Sequence, residues 1–418
     1  MNSKSLNIPI TRSVVEPTNS VNAVSAAADD LGVTVRILRK TSELEELRET
    51  WTAWGGQKDS DIDVLLGLVQ SRDEVLNPHV VVICRNGKPD AMLIGRLERR
   101  KIAFKIGYLP IFKERSRVIT FQRGALRGNP SDENCKEAIH AILNSLKSRE
   151  ADLAMLINPR TDSFLFKRAL SLPGSLSRDY LPIAQPHRLM RLPDTMEKVY
   201  LGLSSKHRKH LRSEEKKIQS RFNGRLKISC FREVAELETA VAHVEEIARK
   251  TYQRGIAGRL DDNPRKRDVS HLHLDAKKSW LRIFVLFEGD TPIAFWIGAV
   301  YNGWFYSEGT GYDPQYGEYS PGTYLLVKMI ETFCKEGLKG IDFGLGDAMY
   351  KQRFGNDSFE EATVHLFAPH MKGLLLKVML TGASATDNAL KSLLARTRLL
   401  PKVKRLWRDR LARKNSSK

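Results

Sequence analysis

"YDPQYGEYSPGTYLLVKMIETF", residues 312–333, is the stretch on which the reading of this chain turns. A good helix, "TYLLVKMIETFCKEGL", begins directly after Ser320-Pro321-Gly322-Thr323. One reading of that junction is a plain turn: Pro fixes φ, Gly permits unusual dihedrals, and Thr323 can cap the helix. The other is an anion site, because unpaired N–H groups at a helix N-terminus attract phosphate. The local chemistry leaves both open.

The surroundings narrow the choice. Three strands precede the junction: "WLRIFVLFEG", "TPIAFWIGAVYN" and "GWFYSEGTGYD", with turns at Glu288-Gly289-Asp290 and Asn302-Gly303. The strand "GIDFGLG" follows the helix, so strand ends and helix N-terminus face a common cleft. Beyond it "DFGLGDAMYKQRFG" gathers Asp342, Asp347, Tyr350, Lys351 and Arg353. Carboxylates, a phenol and cations beside a strand end suit a polar transfer reaction, which needs a base, an acid and an anion clamp. The plainer alternative has Asp342 capping a strand and Tyr350-Lys351 on the surface.

Further out, "LPDTMEKVYLGLSSKHRKHLRSEEKKIQSRF" reads as helical, "LKISCF" as a strand, and "VAELETAVAHVEEIARKTYQRG" as an amphipathic helix ending at Gly255. "LDDNPRKRDVSHLHLDAKK" reads as a polar, basic loop. The first half shows a similar order. A strand at 33–38 leads to a helix with Leu44, Leu47, Trp51 and Trp54. "HVVVICRNGKPDAMLIGRLERR" makes a hairpin at Asn86-Gly87, "SDENCKEAIHAILNSLKSRE" a helix capped by Ser131, and "ADLAMLIN" a buried strand. The expected layout is a mobile leader at 1–33, α/β units at 34–190 and 191–369, and a basic helical tail at 370–418.

With 418 residues, 41% hydrophobic and 28% charged, the composition is that of a globular protein. No apolar run reaches membrane-spanning length, and the N-terminus lacks a secretory apolar core. Cys84, Cys135, Cys230 and Cys334 show no metal spacing, which points to a reduced cytoplasmic setting and no metal. The formal charge of +19 draws anions at long range. In the tail, "LLPKVKRLWRDRLARK" interleaves Leu and Trp with cations, which suits either an anionic membrane surface or packing onto a domain.

"YDPQYGEYSPGTYLLVKMI", "IDFGLGDAMYKQRFG", the preceding strands and "LSSKHRKHLRSEEKKI" together resemble the acyltransferase domain of CelD/BcsL-type cellulose-biosynthesis proteins. That family belongs to the GNAT superfamily and is related to FemAB-type transferases. The likeness covers most of 191–369. It implies tandem GNAT-like α/β domains, with mostly antiparallel mixed sheets flanked by helices. It also implies acyl-CoA as donor, with its pyrophosphate at Tyr319, Ser320, Pro321, Gly322 and Thr323. The turn keeps one glycine of the usual GNAT pattern and inserts a proline, which has no N–H to offer.

The expected chemistry is direct acyl transfer to a small-molecule or glycan-precursor acceptor of the cell envelope. Asp347 would take the proton, with Asp313 and Glu308 as further candidates for that role, Glu308 being also a substrate contact. Tyr350 would protonate the leaving thiolate. Lys351, Arg208 and Arg212 would grip anionic groups, although a solvated helix face is the plainer reading of the two arginines. Cys334, inside a helix with no His partner, is not expected to act covalently. The rival readings are a FemAB-like transferase using charged tRNA, and a non-catalytic scaffold for polysaccharide synthesis.

Overall fold

A computed structural model describes residues 32–106, 109–251 and 270–396. The leader up to residue 31, the expected helix end at Gly255, residues 261–269 of the basic loop, and the tail beyond 396 lie outside the described residues.

Strand β1 (Val33–Leu38) is followed by short helices α1 (Thr41–Glu45), α2 (Arg48–Ala53) and α3 (Ile62–Ser71). The single helix expected around Trp51 is therefore broken into pieces. Next come β2 (Val75–Arg85), β3 (Lys88–Ile106), β4 (Leu109–Gly128), α4 (Asp132–Lys147), β5 (Leu153–Leu156) and α5 (Phe164–Ser171). Asn86, with φ of 51°, and Gly87, with φ of 74°, make the expected hairpin. Ser131 caps α4 by accepting from the Asn134 N–H at 3.2 Å, a contact worth about 1 kcal/mol.

The second half runs β6 (Gln185–Arg191), α6 (Met196–Gly202), α7 (Ser205–Phe222), β7 (Leu226–Phe231), α8 (Leu237–Arg249) and α9 (Ser270–Lys277). Residues 270–277, read as loop, are thus helical. The meander β8 (Leu281–Glu288), β9 (Thr291–Tyr301) and β10 (Trp304–Tyr312) leads to a 3-10 turn at Pro314–Tyr319 and helix α10 (Pro321–Lys335). Strand β11 (Gly340–Leu345), helix α11 (Met349–Phe354), β12 (Asp357–Glu361), β13 (Val364–Phe367) and α12 (Met371–Arg396) complete the described chain.

Two sheets result, ordered β1-β2-β3-β4-β5-β13 and β12-β6-β11-β10-β9-β8-β7. Both are antiparallel except for one parallel pair each, β4–β5 and β10–β11. The pairing cuts across the expected sequence boundaries. β6 precedes residue 191 yet lies between β11 and β12. β13 precedes residue 369 yet pairs with β5.

Apolar layers cover both faces of the second sheet. On one, Leu325, Leu326, Met329, Ile330 and Phe333 of α10 pack with Trp296, Phe305 and Phe343. Each such side chain contributes about 1.5–3 kcal/mol on burial. On the other, Leu237, Val244 and Ile247 of α8 and Leu272 of α9 pack on Ile283, Val285 and Phe295.

Candidate active site

The second sheet opens where its parallel pair ends. β10 and β11 are in register only from Trp304–Gly340 to Tyr306–Asp342. β10 then bulges against β9 between Ser307 and Gly309, and β11 bulges against β6 between Asp342 and Gly344. Each strand stays with its outer neighbour, so they part and leave backbone groups of 307–310 and 343–346 without a partner strand. Gly298 makes room for the first bulge: a Cβ there would lie 2.1 Å from the Tyr306 carbonyl oxygen.

Glu308, at the bulge, points to the sheet face that carries α9. Its Oε1 accepts from Lys58 Nζ at 2.6 Å, and its Oε2 lies 3.5 Å from His271 Nε2. Lys58 comes from a 3-10 turn in the first half and also bonds Asp275 of α9 at 2.5 Å. This buried cluster joins the two halves. Burial opposes ionisation of Glu308, but His271 and Lys58 outweigh it and bring its pKa to about 2. Burial pushes Asp275 up to about 6, against the pull of Lys58. For Lys58, burial is overcome by the two carboxylates, and its pKa is raised.

A second buried network sits at the root of the opening. Asp342 accepts from His187 Nε2 at 2.7 Å and from the Gly344 N–H at 2.8 Å, and pairs with Arg123 at 3.1 Å. His187 Nδ1 reaches Glu361 at 3.0 Å, so both ring nitrogens face carboxylates. Burial works against its charge, yet Asp342 and Glu361 raise its pKa. Asp342 is held ionised in turn: burial raises its pKa, while His187 and Arg123 lower it further.

On the opposite sheet face, Tyr350 of α11 stacks edge-on to Trp296 and Phe343, with centroids 5.4 and 5.7 Å away. Burial pushes the Tyr350 phenol up to about 12, so it stays protonated as a donor. Trp296 is 2% exposed, and its indole N–H has no acceptor among the described residues. An orphaned buried donor is costly unless something arrives to accept from it.

The turn into α10 is tighter than an open phosphate cradle. Ser320 is left-handed (φ 50°), and its hydroxyl donates to Glu214 Oε1 of α7 at 2.5 Å. The Thr323 and Tyr324 N–H groups both donate to the Ser320 carbonyl. Pro321 has no N–H, which leaves the Gly322 amide without an acceptor among the described residues. Tyr319 packs edge-on to Phe222 at 5.1 Å, with Lys217 Nζ over its ring. Glu214 thus places a carboxylate beside the start of α10.

The other expected residues have partners of their own, or none. Asp347 is 48% exposed and pairs with Arg188 at 2.8 Å. Lys351 is buried and donates to the Leu345 carbonyl at 2.6 Å. Burial lowers its pKa. Asp313 caps the 3-10 turn through the Gln315 N–H and pairs with Lys250 at 2.9 Å. Arg208 caps the end of α6, donating to the carbonyls of Tyr200, Leu201 and Leu203. Arg212 is exposed. Cys334 is buried within α10, and burial raises its thiol pKa.

Residues 205–352 match the model of the acetyltransferase (GNAT) domain family. This part of the chain is thus similar to acetyltransferase (GNAT) domains. It runs from the start of α7 into α11 and so contains the parted strands, Glu308, Trp296 and Tyr350. No curated protein matches the chain. Several solved structures are similar to it. The C-terminal domain of a putative lysylphosphatidylglycerol synthetase from Agrobacterium fabrum shares 12% identity over 82% of this chain and 97% of that one, with a TM-score of 0.46. FemX shares 11% over 78% and 96%, with a TM-score of 0.48. A tandem GNAT protein from the clavulanic acid biosynthesis pathway shares 9% over 81% and 99%, with a TM-score of 0.43. Beyond the GNAT domain, the first half supplies Lys58 and Arg123, and the exchanged strand β6 supplies His187.

Proposed function

We propose that the GNAT domain transfers an acyl group from acyl-CoA to an amine or hydroxyl of a cell-envelope or exopolysaccharide precursor, as the CelD/BcsL-type resemblance suggests. The observation that carries this reading is the parting of β10 and β11, with a carboxylate on one face and a phenol and an orphan indole N–H on the other. The pantetheine arm fills the gap by pairing with the freed strand backbone. The thioester carbonyl then accepts from the Trp296 N–H or a strand amide, which stabilises the oxyanion as it forms.

The acceptor approaches from the face that bears Glu308 and the first half. Its nitrogen or oxygen attacks the thioester carbon, and its proton becomes strongly acidic as the new bond forms. Glu308 takes that proton, although its low pKa makes it a weak base for the neutral acceptor. Collapse of the intermediate expels the CoA thiolate, to which Tyr350 donates. With only the Gly322 amide open at the turn, basic side chains of α7 such as Lys217 hold the pyrophosphate.

The test is thermal unfolding of the purified chain with acetyl-CoA, with longer acyl-CoA and with aminoacyl-tRNA, alongside mass spectrometry of the native protein for retained CoA species. A donor present at about 100 times its Kd adds about 2.7 kcal/mol of stability. Stabilisation by acyl-CoA is the expected result. Stabilisation by aminoacyl-tRNA alone would transfer the donor role to the charged tRNA.

A further inference from the structure

Beyond β2, the strands β3 and β4 continue as a two-stranded ribbon whose charges are sorted by face. Pairing with β2 ends at Glu98, while β3 and β4 stay in register from there to Phe104–Phe112. Arg99 lies directly opposite Arg117, Lys101 opposite Arg115, and Ala103 opposite Lys113. Side chains alternate along a strand, so these six residues share one face. All five cations are exposed. No carboxylate of the described residues lies within ion-pair distance of any of them.

The acids of the ribbon stand on its other face. There Glu98 pairs with Arg96 at 2.9 Å and Arg100 at 3.5 Å, and Glu114 faces Lys372 of α12 at 3.8 Å. Like charges set directly across a ladder are unfavourable, and here two such pairs adjoin. A sequence that places every acid on one face and five cations without a carboxylate partner on the other maintains that repulsion; among the described residues only Arg117, whose guanidinium donates to the Arg149 carbonyl, has a side-chain partner inside the fold.

We infer that this face of the ribbon docks on an anionic membrane surface. From Arg99 to Ala103 the strip is about 14 Å long at roughly 3.4 Å per residue, and about 5 Å wide. A strip of that shape meets a bilayer surface with all five cations at once, whereas a curved duplex backbone meets only part of it. The face holds Arg, Lys and Ala alone, with no amide or hydroxyl side chain to read a base edge and no aromatic ring to stack on one. Anionic headgroups require only charge at the surface. The contact would place the first half against the bilayer and is independent of the acyl-transfer reading.

The experiment is co-sedimentation of the full chain with phosphatidylcholine vesicles, with and without phosphatidylglycerol, at low and high salt, with an RNA duplex as the competing polyanion. Each surface cation is worth about five-fold in partitioning, so Arg99→Gln/Lys101→Gln/Arg115→Gln/Arg117→Gln should lower binding several-hundred-fold. A control with the same charge change at cations that already have acidic partners, Arg191→Gln/Lys198→Gln/Arg225→Gln/Lys335→Gln, should change it far less. Should the ladder variant lose its native melting transition, Lys101→Gln/Arg115→Gln, expected at about 25-fold, decides in its place. Equal losses in ladder and control variants would overturn the proposal. Ladder-dependent binding to RNA without binding to vesicles would overturn it equally.

Discussion

Lys58→Met removes the one cation shared by two carboxylates at the junction of the halves. Asp275 is raised from 3.8 to about 6, and Glu308 is lowered from 4.5 to about 2. At 1.36 kcal/mol per unit, each shift is on the order of 3 kcal/mol, and the two act in opposite directions. The raised Asp275 contributes stability that is present below its unfolded pKa and lost as pH rises through about 6. The depressed Glu308 contributes stability that is present above its unfolded pKa and lost as pH falls through about 2. Of the two carboxylates only Asp275 titrates between neutral pH and about pH 5, so its protonation over that window should stabilise the native cluster by about 1 kcal/mol. In Lys58→Met Asp275 loses its ion-pair partner and Glu308 keeps only His271, a loss of roughly 3–5 kcal/mol near neutral pH. At 2–4 °C per kcal/mol for a unit of this size, the melting midpoint should fall by roughly 10 °C or more. Near pH 5, Asp275 takes up a proton and about half of that loss should disappear. Calorimetry of the wild type, Lys58→Met and Lys58→Met/Asp275→Leu at the two pH values checks each step. Equal losses at both pH values, or a double variant less stable than Lys58→Met alone, would refute the shared-cation account.

The remaining expectations follow from the two faces of the opening. Glu308→Gln should lower acyl-CoA turnover by about 10²–10⁴, read as thiol release, while Asp347→Asn, altering only an exposed ion pair, should change it less than about three-fold. Trp296→Phe deletes an N–H that has no acceptor among the described residues, so the melting midpoint should hold or rise while acyl-CoA affinity by calorimetry falls about ten-fold. A Cβ at Gly322 meets only the Tyr312 ring, at 3.5 Å, so Gly322→Ala should stay folded; unchanged CoA affinity would remove that amide from the phosphate site.

Much of this fold was legible in local pattern. "LKISCF" is β7 residue for residue, Asn86-Gly87 makes its hairpin, and Ser131 caps the helix expected after it. Those signals are short-range, so single-sequence reading reaches them. Glu308 was visible as a carboxylate at a strand end, and Tyr350 as a phenol after the next strand. Lys58, Asp275, His187 and Arg123 were not. Glu308 gains its cation from a residue 250 positions away, and Asp342 gains His187 from 155 positions away. No spacing rule connects such residues. Burial was the other hidden variable. Arg208 stands among basic residues that read as a phosphate grip, but three helix-end carbonyls occupy its guanidinium.

Strand exchange explains why those long-range partners exist at all. β6 leaves the first half to lie between β11 and β12, and β13 leaves the second to close the first sheet beside β5. Each sheet therefore depends on a strand encoded on the far side of the expected boundary, and the halves are linked through backbone ladders as well as side chains. His187 rides on β6, so the crossing strand brings the imidazole to Asp342 at the point where β10 and β11 part. The imidazole between Asp342 and Glu361 in turn ties β11 to the end of β12, one residue pair before the chain returns to the first sheet. The same crossing that joins the halves thus holds the root of the opening rigid, while Lys58 holds its rim. A site fixed at root and rim by the other half does not require a lid to keep its geometry. The proposed separation of acyl donor and acceptor onto opposite sheet faces would then follow from the sheet itself: side chains alternate, so neighbouring positions of β10 would face the donor and the acceptor in turn.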